Sequence, residues 1–490
     1  MRRRGRGVPR PVGRPTVPRQ LNIARAGTLL VAVEVLNVFV GFASTVYFAR
    51  ALGATQLGVF FLFQAAVATL ATVADFGLRG AVEKRLTEGQ REGALLGAGV
   101  ALKIGLFALV GVAVWVARAP LAGYIGADLT VLLLVTTALY EFSALTMHVL
   151  RAELRAAETA VLYLLRLLTY VAIGVPLVAA GYGVRGLVAG LAASYLVLLL
   201  GGLLRVSTPL ARPGLAEVRS LVGYAKYNGV WALGGYVYTT MDVLVVGYFL
   251  SQAAVGAYQL AWNVTAMTAV VAGVLANTLF AQLSIWNVEG ESERVRETVR
   301  DALTVALAVG VPSFFGVLVL SGDILSVVFG PEYAIAALAF VVLMAEKLVG
   351  GPNQILDATV RAFDRPDVGA FATAGSLTAN VVLNVVLVPR FGLAGAAAAT
   401  GLAMTLNTVV LAGALTRFMT VSVAWREVAW CGVAGVLMAA TLVGLGRVVP
   451  PTSLPTLVGH VVLGGVVYGG VVAVSPTLRA KGIETVRTVV

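Results

Sequence analysis

The stretch from Asn380 to Thr400, NVVLNVVLVPRFGLAGAAAAT, contains the pattern that decides the fold. Its first half is mostly valine and leucine, and Asn380 and Asn384 lie four residues apart, on one face of the helix that this composition predicts. The chain breaks at Pro-Arg-Phe-Gly and resumes as glycine and alanine. A water-soluble core needs larger side chains to fill its volume, whereas helices in lipid meet through small ones. The stretch therefore predicts two packed membrane helices.

Composition extends this prediction to the whole chain. Of the 490 residues 59% are hydrophobic and 12% are charged, whereas soluble domains carry roughly 25% charged residues. The net charge of +12 alone would suggest a nucleic-acid partner, but the hydropathy excludes a soluble nucleic-acid binder. Basic residues interrupted by proline and glycine crowd positions 1–20, and this composition predicts a disordered cytoplasmic tail.

The predicted fold class is an all-α polytopic membrane protein, because apolar runs of about 20 residues recur along the chain. Charged or Pro/Gly-rich breaks separate about fourteen transmembrane helices. Basic residues favour the cytoplasmic side of a membrane. They crowd the two tails and alternate loops, while the opposite loops hold only Arg50, Arg118, Arg185, Arg390 and Arg447. This asymmetry predicts a multi-pass protein of the cytoplasmic membrane with both termini inside. The predicted boundaries are near 25–49, 56–78, 94–117, 129–150, 158–180, 186–206, 224–250, 253–285, 299–321, 333–358, 368–389, 393–416, 427–448 and 456–475.

Two pairs of short motifs recur six helices apart. Tyr182–Gly186 and Phe391–Gly395 each precede a run of small residues, and Leu57–Phe60 is similar to Val255–Tyr258. An even repeat of six helices predicts two pseudo-symmetric bundles related by an axis along the membrane normal, with a substrate site between them. The predicted domains are the tail 1–20, the bundles 21–210 and 215–418, two additional transmembrane helices in 419–476, and a cytoplasmic tail 477–490.

Ionisable residues inside the predicted spans are the candidate site residues, because charges are expensive in lipid and usually face a cavity or a partner. Alternatives remain for several of them. Glu141 could be neutral in a helix contact, Glu346 and Lys347 point about 100° apart on a helix, and the two inner-end residues could reach the lipid headgroups. The sequence contains no metal-ligand spacing, enzyme signature or cofactor motif. The cavity candidates are Glu34, Lys103, Glu141, Arg166, Asp242, Glu346 and Lys347, and the candidates for gating at the inner ends are Asp75 and Asp357.

Four segments in order along the chain resemble one known group. They are Arg50–Phe60, Asp75–Leu78, Asp242 with Gly247 and then Val255–Tyr258, and Asn384–Ala397. The set is similar to signatures of the polysaccharide-transport branch of the multidrug/oligosaccharidyl-lipid/polysaccharide exporter superfamily. The resemblance implies two six-helix lobes in a V shape and a flippase that moves lipid-linked oligosaccharides by alternating access.

The partners that this resemblance implies are membrane lipids and a polyprenyl-phosphate- or polyprenyl-pyrophosphate-linked saccharide. On chemical grounds, Lys103, Arg166 and Lys347 would offset the charge of a pyrophosphate. The drug-antiporter branch relies on acidic residues for cation coupling, so H+ or Na+ at Glu34 or Asp242 is a further candidate partner. Two alternatives remain, a cation-coupled multidrug antiporter and, disfavoured by short outer loops, a membrane-embedded glycosyltransferase or polymerase.

Overall fold

The computed structural model describes residues 23–89 and 91–479, without the side chains of residues 23–35, 227–228 and 230–239. The predicted tail 1–20 and most of the tail 477–490 lie outside these residues. Ten helical segments of the described chain are long and apolar enough to cross a membrane. The structure does not decide the total number of crossings, which stays a prediction.

The helices follow one another with short connections. A π-helical turn, Val178–Tyr182, follows α6, and a π-helical turn and a 3-10 turn, Ile324–Phe329 and Pro331–Ala336, follow α10. The helices are α1 Ile23–Asp75, α2 Leu78–Thr87, α3 Glu92–Val116, α4 Arg118–Ile125, α5 Thr130–Ala152, α6 Ala156–Leu177, α7 Gly183–Leu203, α8 Leu215–Phe249, α9 Gln252–Glu289, α10 Ser292–Asp323, α11 Ala337–Ala362, α12 Pro366–Leu415, α13 Trp425–Val448 and α14 Leu454–Val474. We call α1–α7 the N lobe and α8–α12 the C lobe.

Helix α12 is folded back on itself at Gly392. The side chains of Asn380 and Thr400, 20 residues apart, are within 3.2 Å, whereas a straight helix would separate them by about 30 Å. Gly392 adopts φ 58° and ψ −137°, a conformation that only glycine enters readily. Gly183, which holds the same place in the predicted repeat, adopts φ 55° and ψ −140°. The repeat motif therefore encodes the same backbone reversal in both lobes.

Helix α1 reverses in the same way at Gly53, whose φ is 73°. Phe48 and Phe60 lie on opposite sides of Gly53, yet both rings contact Tyr170, with centroid distances of 5.5 and 6.3 Å. The predicted spans 25–49 and 56–78 are thus the two arms of α1. We call this end of the molecule the Gly53 end, and the opposite end, where α1 meets α2, the Gly77 end.

A second pair of equivalent turns was not foreseen from the sequence. Leu154 and Asp364 follow α5 and α11 with φ of 60° and 56°. The next residue closes each turn, since Arg155 N donates to Leu150 O and Arg365 N donates to Val360 O. The two lobes therefore share this turn conformation. The sequence does not reveal it, because leucine and aspartate at the equivalent positions have no side-chain pattern in common.

Three features differ from the predicted boundaries. The short helices α2 and α4 were not predicted, and α8 begins at Leu215 rather than near residue 224. Short amphipathic segments carry too few apolar residues to register as spans.

The two additional helices pack on α10, where the Tyr468 hydroxyl donates to Ala308 O at 2.7 Å.

Candidate functional site

The two lobes meet at the Gly53 end through paired glycines. A Cβ added to Gly58 would lie 1.7 Å from Gln252 O, and one added to Gly256 would lie 2.3 Å from Ala54 O. Only residues without side chains allow two helix backbones to approach this closely. Gly58 and Gly256 belong to the predicted repeat motifs, so the structure brings the two copies of that motif into contact.

Side chains around these glycines donate hydrogen bonds to carbonyl oxygens of the opposite lobe or of its connecting turns. We call this contact the glycine seal and define it by Gly58, Gly256, Arg50 and Tyr333. Its side-chain hydrogen bonds are Arg50 Nε to Val328 O at 2.9 Å, the Arg50 guanidinium to Val327 O, the Tyr333 hydroxyl to Ala49 O at 3.0 Å, and the Tyr124 hydroxyl to Leu244 O at 2.7 Å.

Three predicted site residues meet in the N lobe near the Gly77 end. The Lys103 ammonium lies 2.8 Å from Asp75 Oδ1 and contacts Glu141. Arg79 completes the group, with its Nε 3.0 Å from Asp75 Oδ1 and its guanidinium 3.7 Å from Glu141. The side chains of Lys103 and Glu141 are each 1% exposed. We call these four residues the N-lobe ion cluster; its two positive and two negative charges cancel, as burial in a membrane requires.

The predicted span 56–78 ends before Arg79, although the position of Arg79 four residues after Asp75 is the spacing of a helical ion pair. In the structure α2 begins at Leu78 and carries Arg79 into the bundle. Lys103 is already paired with two carboxylates, so its predicted role toward pyrophosphate stays a prediction.

Arg166 is also in the N lobe, and in the described part of the chain it has no acidic partner. Its guanidinium lies 5.5 Å from the ring centroid of Tyr195, and Tyr195 meets Tyr140 edge to face at 5.2 Å. The Arg79 guanidinium lies 5.6 Å from the ring centroid of Tyr140. Among the described residues no carboxylate oxygen lies within 4.0 Å of the Arg166 guanidinium. Two cations thus bracket a pair of tyrosines.

In the C lobe Asp242 is held by uncharged donors. The Tyr258 and Thr400 hydroxyls donate to its Oδ2 at 2.7 and 2.6 Å, and Asn384 Nδ2 donates to its Oδ1 at 2.8 Å. Asn380 Nδ2 donates to the Thr400 hydroxyl at 3.2 Å. We call these five buried residues the Asp242 cluster. The two asparagines that interrupt the Val/Leu run therefore belong to a buried network of hydrogen bonds.

Two oxygens of this cluster lack partners. Oδ1 of Asn380 and Oδ1 of Asn384 are buried and accept no hydrogen bond within the described structure. A buried acceptor without a partner is rare and costs about 1–3 kcal/mol. Thr400 and Tyr258 are site residues that the sequence did not predict, although Thr400 ends the stretch Asn380–Thr400 and Tyr258 ends the repeat motif Val255–Tyr258.

Glu346 and Lys347 pair with each other within α11. They leave the helix about 100° apart, yet the Lys347 ammonium lies 2.6 Å from Glu346 Oε2. The long lysine stem bends around the helix to its neighbour because an unpaired ammonium is costly in lipid. Lys347, Trp262, Asp242 and Thr400 line a cavity of about 40 Å³, enough for at least one water molecule.

The other predicted candidates lie elsewhere. Asp357 pairs with Arg361 at 3.0 Å and is 38% exposed, and both its role in gating and its alternative of reaching the lipid headgroups stay predictions. Glu34 belongs to α1, but its side chain lies outside the described residues. The described residues contain no group of three His, Cys, Asp or Glu side chains that could hold a metal ion.

Comparison with known proteins shows the family to which this chain belongs. Residues 47–338 match the family described as "Polysaccharide biosynthesis protein". The chain belongs to this polysaccharide biosynthesis protein family. Its relatives include the probable low-salt glycan biosynthesis flippase Agl15 of Haloferax volcanii, 38% identical over 89% of this chain and 92% of that protein. The probable flippase AglR of the same organism is 28% identical over 81% of this chain and 84% of that protein.

Solved structures support the fold class of this member of the polysaccharide biosynthesis protein family. The lipid II flippase MurJ, in an inward closed conformation, matches with a TM-score of 0.78 and 14% identity over 91% of this chain and 98% of that one. An inward-facing multidrug resistance MATE family transporter of the MOP superfamily matches with a TM-score of 0.60 and 15% identity, over 78% of this chain and 96% of that one. The chain is a multi-pass, all-α membrane protein with this two-lobed transporter fold, as the sequence predicted.

Proposed function

We propose that this protein flips lipid-linked saccharides across the membrane by alternating access of its two lobes. Its family, relatives named as flippases at up to 38% identity, and a flippase fold support this proposal. The glycine seal is the observation that carries it. It closes one end of the interface with backbone contacts and a few hydrogen bonds, which two rigid lobes can break and remake.

The seal would lie on the outer side of the membrane. Lys84, Arg85 and Arg91 follow the second arm of α1 at the Gly77 end, and basic residues favour the cytoplasmic side. With the Gly53 end sealed, the saccharide would enter between the lobes from the cytoplasmic leaflet. Breaking the seal would then release it outward.

The Asp242 cluster would supply the coupling, through Na+ or H+. Its carboxylate, the Thr400 hydroxyl and the orphaned amide oxygens of Asn380 and Asn384 are all oxygen ligands, which hard cations prefer. Na+ would satisfy both amide oxygens, whereas a proton would neutralise Asp242 alone. Tyr258 links the cluster to the seal, because it lies two residues from Gly256 on α9 and its hydroxyl donates to Asp242.

The test is transport by the purified protein in vesicles. Wild-type protein should move a polyprenyl-phosphate-linked saccharide between leaflets faster than protein-free vesicles do. Gly58→Ala should abolish most of this activity, because its Cβ would overlap Gln252 O and prevent the seal from closing.

Gly41→Ala is the matched control. Gly41 lies on the same helix α1, and a Cβ added there would have no neighbouring atom within 4 Å. Equal rates for Gly58→Ala and Gly41→Ala would remove the seal from the mechanism. No movement above protein-free vesicles by the wild type would overturn the flippase proposal itself.

The second candidate function is cation-coupled export of small molecules. One observation favours it, a buried carboxylate whose neighbours leave oxygens free for a cation. Expression in a drug-sensitive host would give resistance that Asp242→Asn removes. Resistance without saccharide flipping would establish this alternative.

A further inference from the structure

Arg166 is a cation inside the membrane region whose counter-charge the described structure does not supply. The two lysines predicted within spans are both neutralised, Lys103 by Asp75 and Glu141, and Lys347 by Glu346. The N-lobe ion cluster is balanced, so among the side chains that the structure describes Arg166 keeps a positive charge without a compensating carboxylate. Such a charge is expensive in lipid and usually marks a site for a substrate or an ion.

The Arg166 side chain lies away from the most exposed stripe of α6. That stripe holds Val161, Leu165 and Leu168, and Arg166 is about 100° or more away from each of them around the helix. Leu162, one helical turn before Arg166, is 1% exposed and packs in the core. Arg166 nevertheless keeps part of its surface exposed, so a ligand can reach it.

Aromatic rings line the surroundings of this guanidinium. Tyr195 lies beneath it and Tyr140 beside Tyr195, while Tyr170, one turn along α6, packs against Phe48 and Phe60. Tyrosine combines a flat apolar face, against which the C–H face of a sugar can pack, with a hydroxyl that hydrogen-bonds. Guanidinium is the side chain that best fits phosphate or carboxylate oxygens, because it presents planar, paired donors.

We propose that Arg166 and Tyr195 form a head-group subsite in the N lobe that takes an anionic oxygen attached to a sugar. This assignment rests on the proposed function and adds to it the residues that receive the head group. The anion would be either the linking phosphate or an acidic sugar carboxylate. Tyr140 is a positioning residue, held against Tyr195 by Arg79, which Asp75 holds in turn.

Binding in lipid nanodiscs tests the subsite with three probes that share an octyl chain. Glucosyl octyl phosphate carries a phosphate, octyl glucuronide carries a carboxylate, and octyl glucoside is neutral. Wild-type protein should bind at least one anionic probe more tightly than the neutral one, measured by quenching of intrinsic fluorescence. Arg166→Gln should weaken that binding by about 10- to 100-fold, the size of a lost charge-assisted hydrogen bond.

Arg118→Gln is the matched control. Arg118 stacks on Trp115 at 5.0 Å, so this variant removes a cation–aromatic pair outside the subsite and should bind like the wild type. Arg166→Lys keeps the charge and should recover part of the affinity. An unchanged unfolding temperature of Arg166→Gln would separate lost binding from lost folding.

The outcomes separate the sources of the anion. Arg166-dependent binding of glucosyl octyl phosphate assigns the linking phosphate, and Arg166-dependent binding of octyl glucuronide assigns an acidic sugar. Binding unaffected by Arg166→Gln, or no preference of the wild type for an anionic probe, overturns the subsite. Saccharide flipping that does not depend on Arg166 would contradict the subsite and leave the proposed function standing. Arg166-dependent binding without flipping would contradict the proposed function and leave the subsite standing.

Discussion

The N lobe and the C lobe have equivalent backbone reversals, but the larger polar cluster that each lobe buries differs in charge. The N-lobe ion cluster joins four charges that cancel, at distances of 2.8 to 3.7 Å for the pairs around Asp75 and Arg79. The Asp242 cluster surrounds one carboxylate with hydroxyls and amides. A repeated scaffold thus specifies where helices turn, while the side chains set upon it are free to diverge.

The difference suggests a division of labour between the lobes. Charges that neutralise one another hold helices α1, α2, α3 and α5 together and have little capacity left for a ligand. A lone carboxylate beside two unpartnered amide oxygens can gain and lose a cation without leaving other charges unpaired. We therefore expect substitutions in the N-lobe ion cluster to affect folding first, and those in the Asp242 cluster to affect coupling first.

Lys103→Met should have the largest effect on stability. It would leave Glu141 and Asp75 with only Arg79 for compensation, and breaking one partner of a buried ion pair costs about 3–5 kcal/mol. The unfolding temperature of the purified protein and its yield in membranes would both fall.

A second substitution sharpens this test. In Lys103→Met/Glu141→Gln the remaining Asp75 and Arg79 form a neutral pair, so much of the lost stability should return. If Lys103→Met alone unfolds at the wild-type temperature, the cluster does not hold the N lobe together.

Asp242→Asn should change stability by less, within about 1 kcal/mol, the range of a single hydrogen bond. The new amide oxygen can accept from Tyr258 and Thr400, and Asn384 can rotate to offer its free Oδ1 to the new amide nitrogen. Transport in vesicles should lose its dependence on a Na+ or pH gradient. A loss of stability as large as that of Lys103→Met would erase the contrast between the lobes.

Substitutions at the two equivalent turns should have the smallest effect. Leu154 adopts φ 60° with its side chain 89% exposed, a conformation that costs an L-residue roughly 1–2 kcal/mol. Leu154→Gly removes this cost and should raise the free energy of unfolding. The gain should be only a fraction of the cost, because glycine loses more chain entropy on folding than leucine does.

Asp364→Gly should stabilise less, since aspartate tolerates the left-handed region better than leucine does. Thermal unfolding of both variants makes the comparison. A larger gain at Asp364 than at Leu154 would contradict the equivalence of the two turns.

Much of the fold was predictable because its signals are local. Apolar runs predicted the helices, and the glycine motifs near residues 183 and 392 predicted the repeat that the backbone angles bear out. Short polar helices such as α2 were missed because they bury few residues. The candidate site was only partly predictable. Asn380 and Asn384 stood out because amides interrupt an apolar helix, but Thr400 did not, since threonine is common in membrane helices.

The sequence by itself determined the membrane class, the positions of the helices and the residues too polar to face lipid, because composition and spacing act along one segment. Only the tertiary structure decided which of those residues meet. Lys103 reaches Asp75 and Glu141 across 28 and 38 residues of chain, and Asn384 reaches Asp242 across 142. The free energy of a buried charge depends on its neighbours in space, and the order of residues does not contain those neighbours until the helices have packed.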